Sequence, residues 1–349
     1  MIKVVLDAMG GDNSPKEVIK GAAKALKESS EVSIILAGPK EVIESEEAYG
    51  ECDKDRISIL DAKEVISLDE SPVMAIKKKK DSSIVKGMKL IKERQADAFV
   101  SAGSSGAILA GGQLIVGRIK GVDRPPLATL IPTEKGVSLL IDAGANVDAR
   151  PEWLLQFARM GSVYMEHVCK VKDPVVKLVN IGLEEEKGNA LLKETLPLIK
   201  KLKNLNFGGY IEAREIPKGD SADVIVCDAF TGNVILKFYE GLGSTFLHIV
   251  KSGLMKDTRS KIGALLIKPA LKEALKAFDA SEYGGAPLLG CRGLVVKCHG
   301  NSTASEISTA ILQCESFVKL GINDKISEML EADKLCLDTD VRQEQKDEQ

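Results

Sequence analysis

Short runs of consecutive apolar residues alternate along this chain with longer stretches in which apolar positions recur every three or four residues. The short runs, at 2–7, 32–37, 57–60, 97–100, 137–141, 175–181, 223–227 and 294–298, predict strands. The periodic stretches near 15–28, 84–95, 105–118, 151–170, 189–203, 233–250 and 303–319 predict helices. Several strand runs are apolar at every position, the pattern of strands covered on both faces. Strand and helix in regular alternation predict an α/β chain, with a mostly parallel sheet between helical layers. Residues 1–335 read as a single α/β/α domain with a helical hairpin excursion at about 245–280, where Pro269 is expected to kink or split a helix. Residues 336–349 read as a polar, disordered tail.

Composition narrows the function classes. The chain has 349 residues with a net charge of −3, so no global basic field points to nucleic acid. Aromatic residues make up only 4% and are not interleaved with basic runs, which argues against base-stacking platforms. Its seven cysteines form no CxxC pair, which disfavours a disulfide scaffold or a structural zinc site. The chain opens directly on a strand pattern, without the charged start and apolar core of a signal peptide, and no apolar run reaches membrane-spanning length. The expectation is a cytoplasmic protein, free to rest on a membrane surface.

The chemistry concentrates where strands should hand over to helices. DAMGGDNSP (7–15), SAGSSGA (101–107), DAGANVD (142–148), NIGLEE (180–185), DAFTGNV (228–234) and CHGNSTA (298–304) are all small or polar. In parallel α/β folds ligands gather beyond the carboxyl ends of strands, and helix starts attract anions. Each turn by itself also fits an ordinary helix cap. Six on one side of one sheet point together to phosphate or a similar oxyanion. No GxGxxG, GxxxxGK[ST], GxSxG or HExxH motif occurs, which argues against dinucleotide, P-loop, hydrolase-elbow and zincin chemistry.

Single residues add candidates. His167 and His248 fall inside helical patterns, whereas His299 lies just past a strand, where it can act as acid, base or phosphate donor or simply orient backbone. Lys237 follows the FTGNV turn by one helical turn and is favoured over Lys297 as a phosphate partner. Asp7, Asp12, Asp142 and Asp228 sit at strand ends and are expected to hold loops rather than metal. No cofactor and no metal are called for.

Taken together these segments resemble the PlsX family, the phosphate acyltransferases of bacterial phospholipid synthesis. The resemblance rests on DAMGGD (7–12), SPVMAIKKKKDSS (71–83), SAGSSGA (101–107), IDAGAN (141–146), NIG with a following EE (180–185), CDAFTGNVILK (227–237) and EYGGAPLLG with GLVVKCHGNS (282–302), and covers residues 1 to about 330. It implies a fold similar to isocitrate and isopropylmalate dehydrogenases, and transfer of a long acyl chain from acyl carrier protein to inorganic phosphate. It further implies a homodimer, peripheral membrane association, and a membrane glycerol-3-phosphate acyltransferase as downstream partner. Ser104 and Ser105 stand where the family reads Asn-Thr, and Ala213 where it has glycine.

On that resemblance, Gly10, Gly11, Asp12, Ser101, Gly103, Ser104, Ser105, Gly106, Gly300 and Asn301 are expected to bind phosphate and substrate. His299, Asn233, Lys237 and Asn146 are expected to serve the chemistry, the asparagine amides as oxyanion donors. Lys77, Lys78, Lys79 and Lys80 form either a solvated face or a docking patch for the acidic carrier. Within 251–279, seven basic residues oppose three acidic ones, and Ile262, Leu265, Leu266 and Lys268 are expected at an anionic membrane surface. The alternative there is a hairpin packed in a dimer. Two other functions stay open: a phosphotransacetylase-like enzyme using acyl-coenzyme A, and a non-catalytic membrane scaffold.

Overall fold

A computed structural model describes residues 1–276 and 283–333; the tail expected to be disordered lies outside the described residues. Strands β1 (Ile2–Asp7), β2 (Val32–Gly38), β3 (Ile57–Asp61), β4 (Ala98–Ser101), β10 (Ala286–Pro287) and β11 (Leu294–Lys297) form one sheet, in the order β10-β11-β4-β1-β2-β3. β5 (Ala128–Thr133), β6 (Gly136–Ile141), β7 (Val176–Val179), β8 (Phe207–Ile211) and β9 (Val224–Val226) form a second, in the order β5-β6-β9-β7-β8. The α/β class is as the pattern predicts. The expectation of a single sheet is corrected: the strand ends are divided between two.

Both sheets are parallel except where β10 meets β11 and β5 meets β6. Val4, Val5 and Leu6 of β1 and Ala98, Phe99 and Val100 of β4 are fully buried, because helices cover both faces of these central strands. α1 (Lys16–Glu28) packs on α11 (Ala304–Lys319) on one face, and α5 (Ser83–Lys92) lies on the other. The second sheet is covered by α7 (Pro151–His167), which packs on α8 (Ala190–Ile199). The sheets join edge to edge through an antiparallel bridge of Leu127 with Leu288 and the bond from Leu289 N to Pro126 O at 3.0 Å. A further helical segment, 322–333, is clasped to α7 by buried Arg159, whose Nε donates to Asp333 Oδ2 at 2.7 Å.

Short elements escape the hydrophobic pattern: α2 (Lys40–Ser45), α3 (Glu47–Gly50), α4 (Pro72–Lys78), and the strands β5, β8 and β10. The predicted helix over 105–118 is α6 (Ser105–Gly111) continued by a wider π turn, Gly112–Val116. The hairpin consists of α9 (Ala229–Leu254), which starts earlier than predicted, and α10 (Thr258–Lys276). Of the kink or split expected at Pro269, the split is corrected: α10 runs as one helix through it. Proline removes one N–H there, and the carbonyl left without that donor is that of Leu265, on an exposed stretch of the helix.

Candidate active site

Three strand-end aspartates organise the turns. Asp7 is buried; its Oδ2 accepts from Ser101 Oγ at 2.6 Å, and Ser101 Oγ accepts from Gly103 N at 3.0 Å, which ties the β1 turn to the β4 turn. Burial raises the Asp7 carboxyl, with the Ser101 and Ser83 hydroxyls pulling the other way. Asp142 is fully buried after β6 and accepts from the N–H groups of Leu127, Gly144, Ala145 and Asn146 and from Asn146 Nδ2, at 2.7–3.1 Å. Asp228 caps α9 by accepting from Thr231 N at 2.9 Å. These contacts match the expectation that such carboxylates hold loops.

Close approach explains the glycines of the first turn. A Cβ on Gly10 would stand 2.6 Å from Asp7 Oδ2, 2.7 Å from Gly103 N and 2.8 Å from Ser101 Oγ, below any real contact. Gly11 has φ +99°, and its neighbour Asp12 donates its N–H to Gly300 O at 2.7 Å. The turns after β1, β4 and β11 therefore converge. Asn13 Nδ2 adds a bond to Asn301 O at 3.1 Å.

A cleft of about 670 Å³ opens where the two sheets meet. The first sheet supplies Ser105 and Leu109 from α6, then Lys297, Cys298, His299, Asn301 and Ser302 after β11. The second supplies Leu127, Ala143, Gly144 and, from α9, Asn233, Leu236, Lys237 and Glu240. Leu109, Leu127, Ala143, Leu236 and Ala286 belong to one apolar cluster, so the cleft has an oily wall beside its charges.

The charged groups are close-set. Lys237 Nζ lies 2.9 Å from Glu240 Oε2 and 3.5 Å from His299 Nε2, and His299 Nε2 lies 3.4 Å from Glu240 Oε2. Burial pushes the Glu240 carboxyl up, but the bonds from His299 and Lys237 outweigh it and hold it at about 2, so it is ionised at neutral pH. Lys297 lines the same cleft half-buried, and desolvation followed by repulsion from Lys237 lowers its pKa. Among the described residues it has no hydrogen-bond or ion-pair acceptor. Its ammonium opens on the cleft beside Lys237 with no such acceptor, an arrangement that suits an anionic ligand.

The sequence-expected residues therefore divide. His299, Lys237, Asn233, Ser105 and Asn301 line the cleft. Gly10, Gly11, Asp12, Ser101, Gly103 and Gly300 form the scaffold behind it, through the contacts just described. Ser104 is buried and caps α6 by accepting from Ala107 N at 3.4 Å, and Gly106 packs against Pro72 of α4. Asn146 is buried too, and its Nδ2 donates to both Asp142 Oδ2 and Pro125 O, which leaves neither hydrogen for an oxyanion. The 180–185 turn follows β7, beyond β9 in the sheet, and lies in a separate groove with Phe230 and Val234. On sequence Lys237 is favoured over Lys297; Lys297 ends the buried strand β11 at intermediate burial, and only the fold shows that it faces the cleft.

Cys227 and Cys298 are buried thiols, pushed well up and to about 12 respectively by burial, so neither is a thiolate nucleophile near neutral pH. His167 ends α7, and His248 lies within α9 away from the cleft lining.

Fold and cleft define an α/β protein whose cleft sets Lys237, Lys297 and His299 against an apolar wall. The family described as "Fatty acid synthesis protein" matches residues 2–325. The phosphate acyltransferase of Alkaliphilus oremlandii is 51% identical over 94% of this chain and 97% of its own length. That of Clostridium botulinum is 49% identical over 95% and 99%. The chain belongs to this family, the PlsX-type phosphate acyltransferases. Among solved structures its fold is like that of the EutD phosphotransacetylase from Staphylococcus aureus, with a TM-score of 0.58 at 16% identity, covering 90% of this chain and 94% of that one.

Proposed function

We propose that the cleft transfers a long acyl chain from acyl carrier protein to inorganic phosphate, giving acyl phosphate for phosphatidic acid synthesis. The observation that supports this most is the pairing of a half-buried lysine without an acceptor among the described residues, Lys297, with Lys237 and His299 beside an apolar wall. Phosphate is anionic at neutral pH and needs positioning more than deprotonation. Its oxygen attacks the thioester carbonyl, the new O–C bond replaces the C–S bond, and the phosphate's proton ends on the departing thiol, with His299 placed to pass it. The lysines and the Asn233 amide are the donors available to the developing oxyanion. No covalent enzyme intermediate is needed. Purified protein mixed with long-chain acyl-carrier protein should release free carrier only when phosphate is present. Release without phosphate, or none at all, overturns the reading.

A second reading replaces the carrier by coenzyme A. The fold likeness to phosphotransacetylases favours it. The two are separated by offering acyl-carrier protein and acyl-coenzyme A of the same chain length: the leading reading expects the carrier thioester to give the higher kcat/KM.

Carrier docking is proposed for α4, which packs on α6 at the cleft. Lys77, Lys78 and Lys80 are exposed there, while Lys79 Nζ is engaged by Glu70 Oε1 at 2.6 Å and Val65 O at 2.7 Å. Reversing the charge of Lys77 and Lys78 should raise KM for the carrier substrate severalfold and flatten its salt dependence, with KM for phosphate unmoved. An unmoved carrier KM would remove the patch from docking.

The protein is further proposed to be a cytoplasmic homodimer that sits on anionic membranes and hands its product to a membrane glycerol-3-phosphate acyltransferase. No helix among the described residues is long and apolar enough to cross a membrane. Ile262, Leu265 and Leu266 of α10 are 58%, 71% and 76% exposed, and Lys268 is exposed beside them. In flotation with vesicles containing phosphatidylglycerol, Leu265→Glu with Leu266→Glu should lose binding while the dimer persists by light scattering. Retained flotation would refute the membrane face.

A further inference from the structure

The anion position of the cleft is already held by a negative group from the chain itself. Glu240 lies one helical turn beyond Lys237 on α9, and its Oε2 reaches both Lys237 Nζ at 2.9 Å and His299 Nε2 at 3.4 Å. These are the groups the cleft would offer to phosphate. Glu240 is no buried fixture: its side chain is 36% exposed, so it can turn toward water without unpacking the core. Lys297, across the cleft, stays beyond ion-pair reach of it yet within its electrostatic influence.

We propose that Glu240 is a resident counter-anion of this site, displaced when phosphate binds, and that the exchange sets the affinity an anion needs in order to enter the cleft. The proposal rests on reading the cleft as a phosphate site. Its logic is one of exchange. A monoanion such as chloride or acetate replaces one negative charge by another and gains little. It must also evict a tethered group, whose effective concentration is that of an intramolecular neighbour. Phosphate dianion brings an extra unit of charge between two ammonium groups in a partly desolvated cleft, where each charge interacts more strongly than in water. It also has enough oxygens to accept from Lys237, Lys297 and His299 at once. The carboxylate thus keeps the cations in place while the site is empty and screens out weaker anions.

A different role for Glu240, fixing the orientation of His299, makes the opposite prediction. The test is titration calorimetry of the full chain with inorganic phosphate, chloride and acetate, alongside phosphate-dependent turnover. In Glu240→Gln, phosphate, acetate and chloride should each bind about tenfold more tightly than to the parent, as no tethered carboxylate competes with them. Glu240→Ala should do the same, and Glu240→Asp should stay close to the parent. Phosphate affinity unchanged or weakened in both Gln and Ala variants, with melting curves that show a folded protein and kcat reduced, would overturn the proposal in favour of His299 orientation. Failure of phosphate to bind the parent protein at all would overturn the phosphate-site reading itself. The two failures are therefore distinct.

Discussion

Replacing Lys297 with methionine is expected to lower phosphate-dependent turnover by about 10²–10³-fold, the usual loss for one well-placed donor. The side chain lines the cleft, is half-buried and has no acceptor among the described residues. Its charge is useful only to something that enters the cleft. The same variant should be no less stable than the parent at pH 7. Burial and the neighbouring Lys237 lower the folded-state pKa of Lys297 below its ordinary 10.5, with Glu240 opposing. The charged form is thus disfavoured by folding. Its destabilising effect is present below the folded pKa and fades as pH rises through it. By the same sign, KM for phosphate should start to climb at a pH below 10.5, as the ammonium is lost. Lys297→Arg should move that alkaline limb upward. A clear fall in melting temperature for Lys297→Met, with KM for phosphate unchanged, would make Lys297 a structural residue instead.

Asp142→Ala is expected to destabilise the protein by about 3–5 kcal/mol, measured as a lowered urea midpoint. The carboxylate accepts from four backbone N–H groups and from the Asn146 amide, and it is inaccessible to water. Alanine leaves those donors buried and unpaired, and each lost bond carries a desolvation penalty. The turn also carries Ala143 and Gly144, which line the cleft, so activity should fall with stability. Asp142→Asn should be milder yet still destabilising, since one oxygen becomes an NH₂ that faces donors. A midpoint unmoved in Asp142→Ala would mean that the turn is held by packing rather than by this network.

The two predictions differ in how far the sequence anticipates them. Asp142 is visible as a strand-end aspartate followed by small residues, and its loop-holding role follows from turn chemistry. The value of Lys297 is not visible. A lysine ending an apolar strand reads as a solvated end, and only the fold sets it in a cleft lined also by α9 from the other sheet. Asn146 errs in the opposite direction. Its residue type fits an oxyanion donor, but its neighbours Asp142 and Pro125 take both hydrogens. Ser104 likewise turns out to be a cap, whereas Ser105, one residue on, faces the cleft.

Elements show the same division. β1, β2, β4 and β11 are legible because each is a continuous apolar run. β5 carries Pro132, β8 contains Gly208 and Gly209, and β10 spans only two residues, so none has a period to read. Each is nonetheless a strand, because a neighbouring strand supplies its hydrogen bonds.

By itself, then, the chain's pattern determined the layered α/β class, the helices with strong amphipathic period, and the small-residue turns at strand ends, including His299 and Lys237. These are local properties, set by side-chain period and turn chemistry within a few residues. Tertiary structure alone decided that the strands split into two sheets, and that the turns after β4, β6, β9 and β11 share a cleft while the β7 turn does not. It also decided that Lys297 and Glu240 belong to the charged cluster. Strand order and edge pairing bring together residues far apart in the chain, and no short-range pattern encodes which strand becomes the neighbour of which.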